Sequence, residues 1–436
     1  MLGDFLSELV RRKPSLRIFI LIWDCPLPFA KGREPRVMSA GGWQLDARIT
    51  FHYDGNCPLR AAFHQKLVVI DGKVAFCGGM DLTISRWDTP EHAWGDQQRT
   101  NIGDTEPYAP VHDTMLIVDS GAALALHSVV SERWWRATRR TLPAAYTASP
   151  EDPWATDPWP DTVLPTLFDV NVAVARTLPA WAATQPVTEV ETLHLDMIAA
   201  AKKYIYIENQ YFSAGTLADA LARRLMEPNG PEVVVVLRLA SSGWLEEPTM
   251  TALRSDLLRR LRDVDAHGRF SAWYPDTAGQ PCCDVHSKLM IVDDQWLRVG
   301  SANFANRSLD LDAECDLVIE AGADPTKQAA IASARNDLLA EHLDLAPRDA
   351  QNALASKGSL QAVIEAYAGK SARTLRPFVR LDAPSSALLA LATEVVDPRA
   401  TIPRHAGCEP VDSSAGSSDS CGATLGPSLA TPRWGG

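Results

Sequence analysis

The chain carries one pattern twice. Residues 64–81 read HQKLVVIDGKVAFCGGMD, and residues 286–303 read HSKLMIVDDQWLRVGSAN. Laid over one another, His64 falls on His286, Lys66 on Lys288, Asp71 on Asp293 and Gly78 on Gly300, with Gly79 against Ser301 and Asp81 against Asn303. One His-x-Lys ahead of an apolar run ordinarily marks a solvated strand face. Two in register, each with a glycine at the same offset, call for a fold that builds one substructure twice. Residues two apart on a strand share a face, so His64 projects with Lys66 and His286 with Lys288. If two such lobes pack about a pseudo-twofold, two imidazoles and two ammonium groups converge on one cleft. Two cations suit the anionic oxygens of a phosphate. Two imidazoles suit a two-step displacement, in which one attacks and the other protonates the departing oxygen.

Strand and helix patterns alternate around both copies. In the first half, residues 4–12 have helical spacing, 17–24 read as a buried strand and 47–54 as an alternating strand, and 113–119 as a strand leading into a helix over 121–140. In the second, strands are expected at 169–177, 204–212, 232–240 and 315–320, with helices at 187–203, 217–225, 249–265 and near 326–342. This predicts an α/β chain of two pseudo-symmetric lobes, each a mixed sheet flanked by helices, with one active site at their interface. The N-terminal lobe covers 1–147, a linker with five prolines starts the stretch 148–168, and the C-terminal lobe covers 169–345. An extension follows over 346–399, then a disordered tail over 400–436, rich in Ser, Gly, Pro and Thr. In the repeat, 4–12 and 17–24 match 217–225 and 232–240, so the first lobe lacks its opening helix and strand. Such a lobe leaves sheet backbone uncovered, and a longer form of the chain is expected to be more stable and more active.

Composition excludes several classes. With 436 residues, 46% hydrophobic and 22% charged, the chain can bury two cores. A net charge of −12 weighs against a nucleic-acid partner. The eight cysteines form no C-x-x-C pair; Cys77 and Cys315 lie in apolar runs and read as buried thiols. No His/Cys/Asp cluster has metal-ligand spacing. No apolar run approaches the ~18–20 residues that cross a bilayer, and the N-terminus lacks the order of a signal peptide. The reading is a cytoplasmic protein, with peripheral contact at the inner membrane surface allowed. His52, His112 and His127 have no repeat partner and read as ordinary satisfied histidines.

The two motifs resemble those of the phospholipase D superfamily, whose signature is H-x-K-x4-D followed by G-S-x-N. The second copy matches throughout. The first has GGMD in place of G-S-x-N, and with LTISRWDTPEH after it resembles true phospholipases D of plants, animals and bacteria, as do YIENQYF and RSLDLDAE. The resemblance covers about residues 1–345. It implies a phosphodiesterase that hydrolyses or transphosphatidylates glycerophospholipids such as phosphatidylcholine to phosphatidic acid, through a phosphohistidine intermediate. His64, Lys66, His286 and Lys288 would be catalytic. Asp113 and Glu314, each just ahead of a strand, would orient the imidazoles; the alternative is that they merely terminate strands. Ser301 and Asn303 would contact substrate, whereas Asp81, an anion, suits a turn or hydrogen-bonding role. Asp71, Asp293, Gly78, Gly79 and Gly300 would be structural. Trp87 and Asp88 would line the substrate channel or pack. No metal or other cofactor is implied, because the lysines and Asn303 supply the charge stabilisation. The partners would be a phospholipid at a membrane surface and water or a small alcohol as acceptor. The alternatives are a cardiolipin synthase-like phosphatidyltransferase, a nuclease, and a non-catalytic or truncated membrane-binding relic.

Overall fold

Valine-rich β-branched segments fix the layers. The computed structural model of the chain describes residues 2–25, 46–145, 158–181, 184–240, 246–277, 283–379 and 384–399. In the first half lie α1 (Leu2–Arg12), β1 (Ile18–Trp23), β2 (Ile49–Asp54), β3 (Leu67–Ile70), β4 (Val74–Gly78), β5 (Val111–His112), β6 (Met115–Asp119) and α2 (Ser120–Thr138). The second half opens with β7 (Asn171–Leu178), β8 (Val187–Thr188), α3 (Glu189–Ala200), β9 (Tyr204–Asn209), α4 (Gly215–Met226), β10 (Glu232–Leu237) and α5 (Glu246–Val264). It continues with β11 (Phe270–Thr277), β12 (Asp284–Val285), β13 (Lys288–Val292), β14 (Trp296–Gly300), α6 (Asn306–Asp310), β15 (Glu314–Glu320) and α7 (Pro325–Leu343). Last come α8 (Pro347–Lys357), α9 (Leu360–Tyr367), β16 (Arg373–Pro377) and α10 (Ser386–Leu391).

The second half builds a nine-stranded mixed sheet in the order β16-β11-β10-β9-β13-β14-β15-β7-β8. Helices cover both faces, so its central strands are apolar on both sides. Val233, Val235 and Leu237 of β10 pack in the layer of α3, α4 and α5, while Val234 and Val236 pack in the layer of α7, α8 and α9. The segment after 345 is part of this architecture: β16 adds antiparallel to β11, and Asp397 accepts from the Asn306 and Arg307 amides at the start of α6. The proposed tail, and residues 148–157 of the proposed linker, lie outside the described residues.

The first lobe repeats this plan with one seam. β1 pairs parallel with β2 as β10 does with β11, and β3-β4-β6 run antiparallel as β13-β14-β15 do. In the second lobe β9 pairs with both β10 and β13 and joins the two sets. Among the described residues no strand does this in the first lobe, which has a two-stranded and a three-stranded sheet instead. With β2 as its one strand neighbour, β1 is half-buried where a buried strand was expected, and Ile22 is 38% exposed.

The lobes meet along their sheets. Ala75, Cys77, Val118, Ala123 and Leu126 pack against Cys315 and Leu317 of β15. Two short parallel crossings sit at the rim. β5 pairs with β12, and Phe63 bridges Ala313. These crossings are related by the repeat: each joins the segment ahead of a His-x-Lys to the segment ahead of the other lobe's β6 or β15.

Asp71 and Asp293 both end their strands at turns with positive φ, 56° and 54°. Asp293 accepts from the Lys202, Lys203 and Tyr204 amides at 2.6, 2.8 and 2.8 Å, capping the entry to β9. Asp71 is exposed and caps no such segment among the described residues. Asparagine tolerates the left-handed conformation at both sites. Asp293→Asn should therefore cost about 1.5–3 kcal/mol in urea unfolding and Asp71→Asn less than about 0.5 kcal/mol. Equal costs would show that the two turns are not distinguished by the cap.

Candidate active site

The two rim crossings determine which groups meet. The His64 amide donates to the Ala313 carbonyl, and the His286 amide to that of His112, at 2.9 and 2.7 Å. Each histidine is thereby set beside the acid that follows in the opposite lobe. His64 Nδ1 lies 3.0 Å from both carboxylate oxygens of Glu314, and His286 Nδ1 lies 2.8 Å from Asp113 Oδ2. A carboxylate partner puts the proton on Nδ1 and leaves Nε2 as the unengaged ring nitrogen.

The lysines fold back on the same strands. Lys66 Nζ donates to the His64 carbonyl at 2.7 Å and stands 3.3 Å from Asp81 Oδ1. Lys288 Nζ donates to the His286 carbonyl at 2.6 Å and to Gln210 Oε1 at 2.9 Å. Asp81 thus pairs with a lysine in the copy where Asn303 stands in the other. Asn303 is buried, and its side-chain oxygen has no partner among the described residues.

Ser301 was expected among the substrate contacts, and its geometry differs. It is fully buried, and its hydroxyl donates to Glu314 Oε2 at 2.5 Å and accepts from the Cys315 amide at 3.0 Å. Ser301 therefore holds the acid. In the first copy the acid is the shorter Asp113, and a Cβ on Gly79 would come 2.2 Å from its Oδ1. The departure of GGMD from G-S-x-N is thus steric: Asp113 occupies the space that a serine side chain would need. Gly300 is similarly tight against Asp316, and Gly78 against the Thr114 carbonyl.

Burial sets the protonation of the cleft. It pushes Glu314 up to about 7 and Asp113 up to about 6. Burial, with the two lysines beside it, holds His64 well below the usual imidazole range. Burial, with Lys288 and Arg86, does the same to His286. Burial also brings Lys288 down to about 7, against the opposing pull of Asp113. The groups of the cleft by themselves therefore favour neutral imidazoles. An arriving monoanion would offset the lysines' effect on both.

Several contributors have no partner in the repeat and could not be read from it. Gln210, in the YIENQYF stretch, directly follows β9, a strand with no counterpart among the described residues of the first half. Arg86 sits 3.9 Å from Asp81 and adds a third cation. The Asp88 side chain is enclosed and accepts from Val111 N and His92, with Arg99 beside it, so it braces the β5 crossing; Trp87 is 46% exposed. His112 is buried and paired with Glu208 and Glu341. His92, His112 and Glu341, and likewise His112, Glu208 and His342, bring donor atoms within 4.8 Å of one another. Sequence spacing does not reveal these groups, because their members come from both lobes. Their imidazole–carboxylate contacts run from 2.6 to 3.0 Å, the geometry of direct hydrogen bonds.

The family model described as phospholipase D matches residues 54–219, and that described as cardiolipin synthase, PLD-like domain, matches 194–334. Phospholipase D A of Dictyostelium discoideum is 26% identical over 79% of this chain and 32% of its own length. Cardiolipin synthase A of Pseudomonas aeruginosa is 27% identical over 58% of this chain and 42% of its own. The chain thus spans less than half the length of either relative. The solved phosphatidylserine synthase of Haemophilus influenzae superposes with a TM-score of 0.52 at 15% identity, covering 84% of this chain and 85% of that one, which speaks to the fold. With one family model on each lobe and the repeated motif inside both, the chain belongs to the phospholipase D superfamily.

Proposed function

We propose that the chain is a phospholipase D-type phosphodiesterase acting on glycerophospholipids. The observation that carries this is the pair of crossed imidazole–carboxylate contacts, with two lysines on the same strands. His64 Nε2 attacks phosphorus and forms the P–N bond as the bond to the headgroup oxygen breaks. His286 gives that oxygen its proton and leaves as the neutral imidazole. Water, or an alcohol, then attacks phosphorus, His286 takes its proton, and the P–N bond breaks to restore His64. Phosphatidic acid, or an exchanged phospholipid, departs. Lys66 and Lys288 offset the charge that develops on the equatorial oxygens.

The assignment of His64 as nucleophile follows the resemblance and is supported by access. Its side chain is 26% exposed, against 4% for His286. Its depressed basicity keeps Nε2 unprotonated at neutral pH, as a nucleophile requires. Among the described residues no helix is long and apolar enough to cross a membrane.

Phosphatidylcholine turnover with and without a primary alcohol tests the reading. Phosphatidic acid, partly replaced by the phosphatidyl alcohol, is expected. Transfer onto phosphatidylglycerol with no hydrolysis would instead favour a cardiolipin synthase-like enzyme. His64→Ala and His286→Ala should each lower turnover by roughly 10²–10⁴-fold or more. Acid-quench mapping of a labelled short-chain substrate should find the adduct on His64; an adduct on His286 would reverse the two roles.

Lys288 gives the cleft a pH signature. Its ammonium is lost as pH rises through about 7, so affinity for an anion of constant charge should fall over that range. Dimethyl phosphate serves as the probe. Its competitive inhibition should weaken between pH 6 and 9 in the native protein. It should weaken less in Lys288→Arg, whose guanidinium remains charged, the residual slope coming from Glu314, whose carboxylate forms over the same range. A flat native profile would contradict a lysine held near neutrality.

A further inference from the structure

The pseudo-twofold fails behind the second His-x-Lys. Alternation that turns His286 and Lys288 to the cleft turns Ser287 away from it, and the Ser287 hydroxyl donates to Glu208 Oε2 at 2.9 Å. The same oxygen accepts from His112 Nε2 at 2.7 Å. The other oxygen accepts from the Tyr206 hydroxyl at 2.7 Å and from His342 Nε2 at 3.0 Å. Glu208 is fully buried, and four donors fill its carboxylate.

Two of those donors are chain neighbours of the proposed acid and its partner. Ser287 follows His286, and His112 precedes Asp113. The His112 carbonyl also accepts from the His286 and Ser287 amides at 2.7 and 3.2 Å. One buried carboxylate therefore grips, from behind, two segments of opposite lobes whose adjoining residues make the 2.8 Å Asp113–His286 contact. The chain of contacts continues outward from His112 Nδ1 to Glu341 at 2.6 Å, on to His92 at 2.9 Å, and to Asp88 at 2.8 Å. Carboxylates and imidazoles alternate along it from one lobe to the other. Among the described residues the first copy has nothing similar: its corresponding positions hold Gln65, which donates to the Glu314 carbonyl at 3.3 Å, and Ala313. There the acid is held directly, by Ser301.

We infer that Glu208 is a positioning residue for the Asp113–His286 pair, fixing through Ser287 and His112 the placement from which His286 delivers its proton. This rests on the reading of His286 as the general acid. Glu208 lies on the far side of the strand from the cleft and touches no reacting atom. A misplacement on the order of 1 Å is worth about 10²-fold in rate, so loosening this grip has a measurable consequence.

The experiment compares two soluble phosphodiesters that differ in leaving group. One releases an alkyl alcohol, which needs a proton as it departs, and the other releases p-nitrophenolate, which does not. The readout is kcat/KM, which reports attack and departure of the leaving group. Glu208→Gln is expected to lower kcat/KM by about 10–100-fold for the alkyl ester and by less than about 3-fold for the nitrophenyl ester. Ser287→Ala, which removes one of the four donors and leaves the carboxylate buried and charged, should show the same selectivity to a smaller degree. It stands in if Glu208→Gln fails to fold. His286→Ala is the reference and should show the largest selectivity. If His286→Ala is selective while Glu208→Gln and Ser287→Ala depress both esters alike, or neither, the positioning role is overturned and the general acid stands. If His286→Ala shows no selectivity, the general-acid reading fails, and the inference fails with it.

Discussion

Everything at the cleft depends on an exchange between lobes: each imidazole is oriented by a carboxylate from the other half of the chain. His64 belongs to Glu314 and His286 to Asp113. Neither lobe can assemble half of the site alone, because the acid that follows its own lysine strand faces the neighbour's histidine. The crossings at Phe63–Ala313 and β5–β12 follow from this, since only backbone pairing of the two rims brings the segments into register. The apolar contact of Ala75, Cys77 and Val118 with Cys315 and Leu317 then holds the rims together by burial, without direction of its own. Direction comes from the hydrogen bonds.

Much of this was legible in the residues. The duplicated His-x-Lys, the two acids and the strands around them follow from period and register. Which acid meets which histidine was not legible, because repeat register says how lobes correspond and not how they dock. Ser301 was misread for a related reason. Its position in the motif suggests a phosphate contact, but only the fold reveals that Glu314 lies within reach of its hydroxyl. The elements after residue 345 were missed because they are short. α8, α9, β16 and α10 span 11, 8, 5 and 6 residues, too few for periodicity to stand out. His112 was set aside as a lone histidine. It is indeed a satisfied one, but its partners, Glu208 and Glu341, come from distant parts of the sequence.

The repeat also records where symmetry has been given up. Asp293 caps the entry to β9 while Asp71 ends an exposed turn, and among the described residues β1 has a single strand neighbour where β10 has two. On the cleft side the same asymmetry appears as chemistry. Strand β9 supplies Glu208 to the back of the His286 strand, and Gln210 just after it reaches Lys288; among the described residues the first half has no strand equivalent to β9. Lys66 turns to Asp81 instead, which the sequence places where the second copy has Asn303. Two half-sites with one ancestral pattern thus differ in access and in support, the more open carrying His64 and the more enclosed carrying His286.

The charges of the cleft make that difference useful. Lys66, Lys288 and Arg86 stand against Asp81, Asp113 and Glu314, so the fully ionised site is neutral overall yet crowded with buried charge. Burial penalises every one of these ions, which is why the two orienting acids are pushed up and Lys288 down, all toward neutrality. A phosphodiester brings one negative charge and no counterion. Its arrival restores the Lys288 cation by giving it an anion to face, and it raises the proton affinity of the nearby imidazoles. The group that benefits most is the enclosed one, His286, which in the proposed mechanism holds a proton for a poor leaving group. His64, more open to solvent, is less affected and keeps its lone pair. Substrate charge, acting on two imidazoles of unequal burial, can therefore separate nucleophile from acid in a site whose two halves share one sequence pattern.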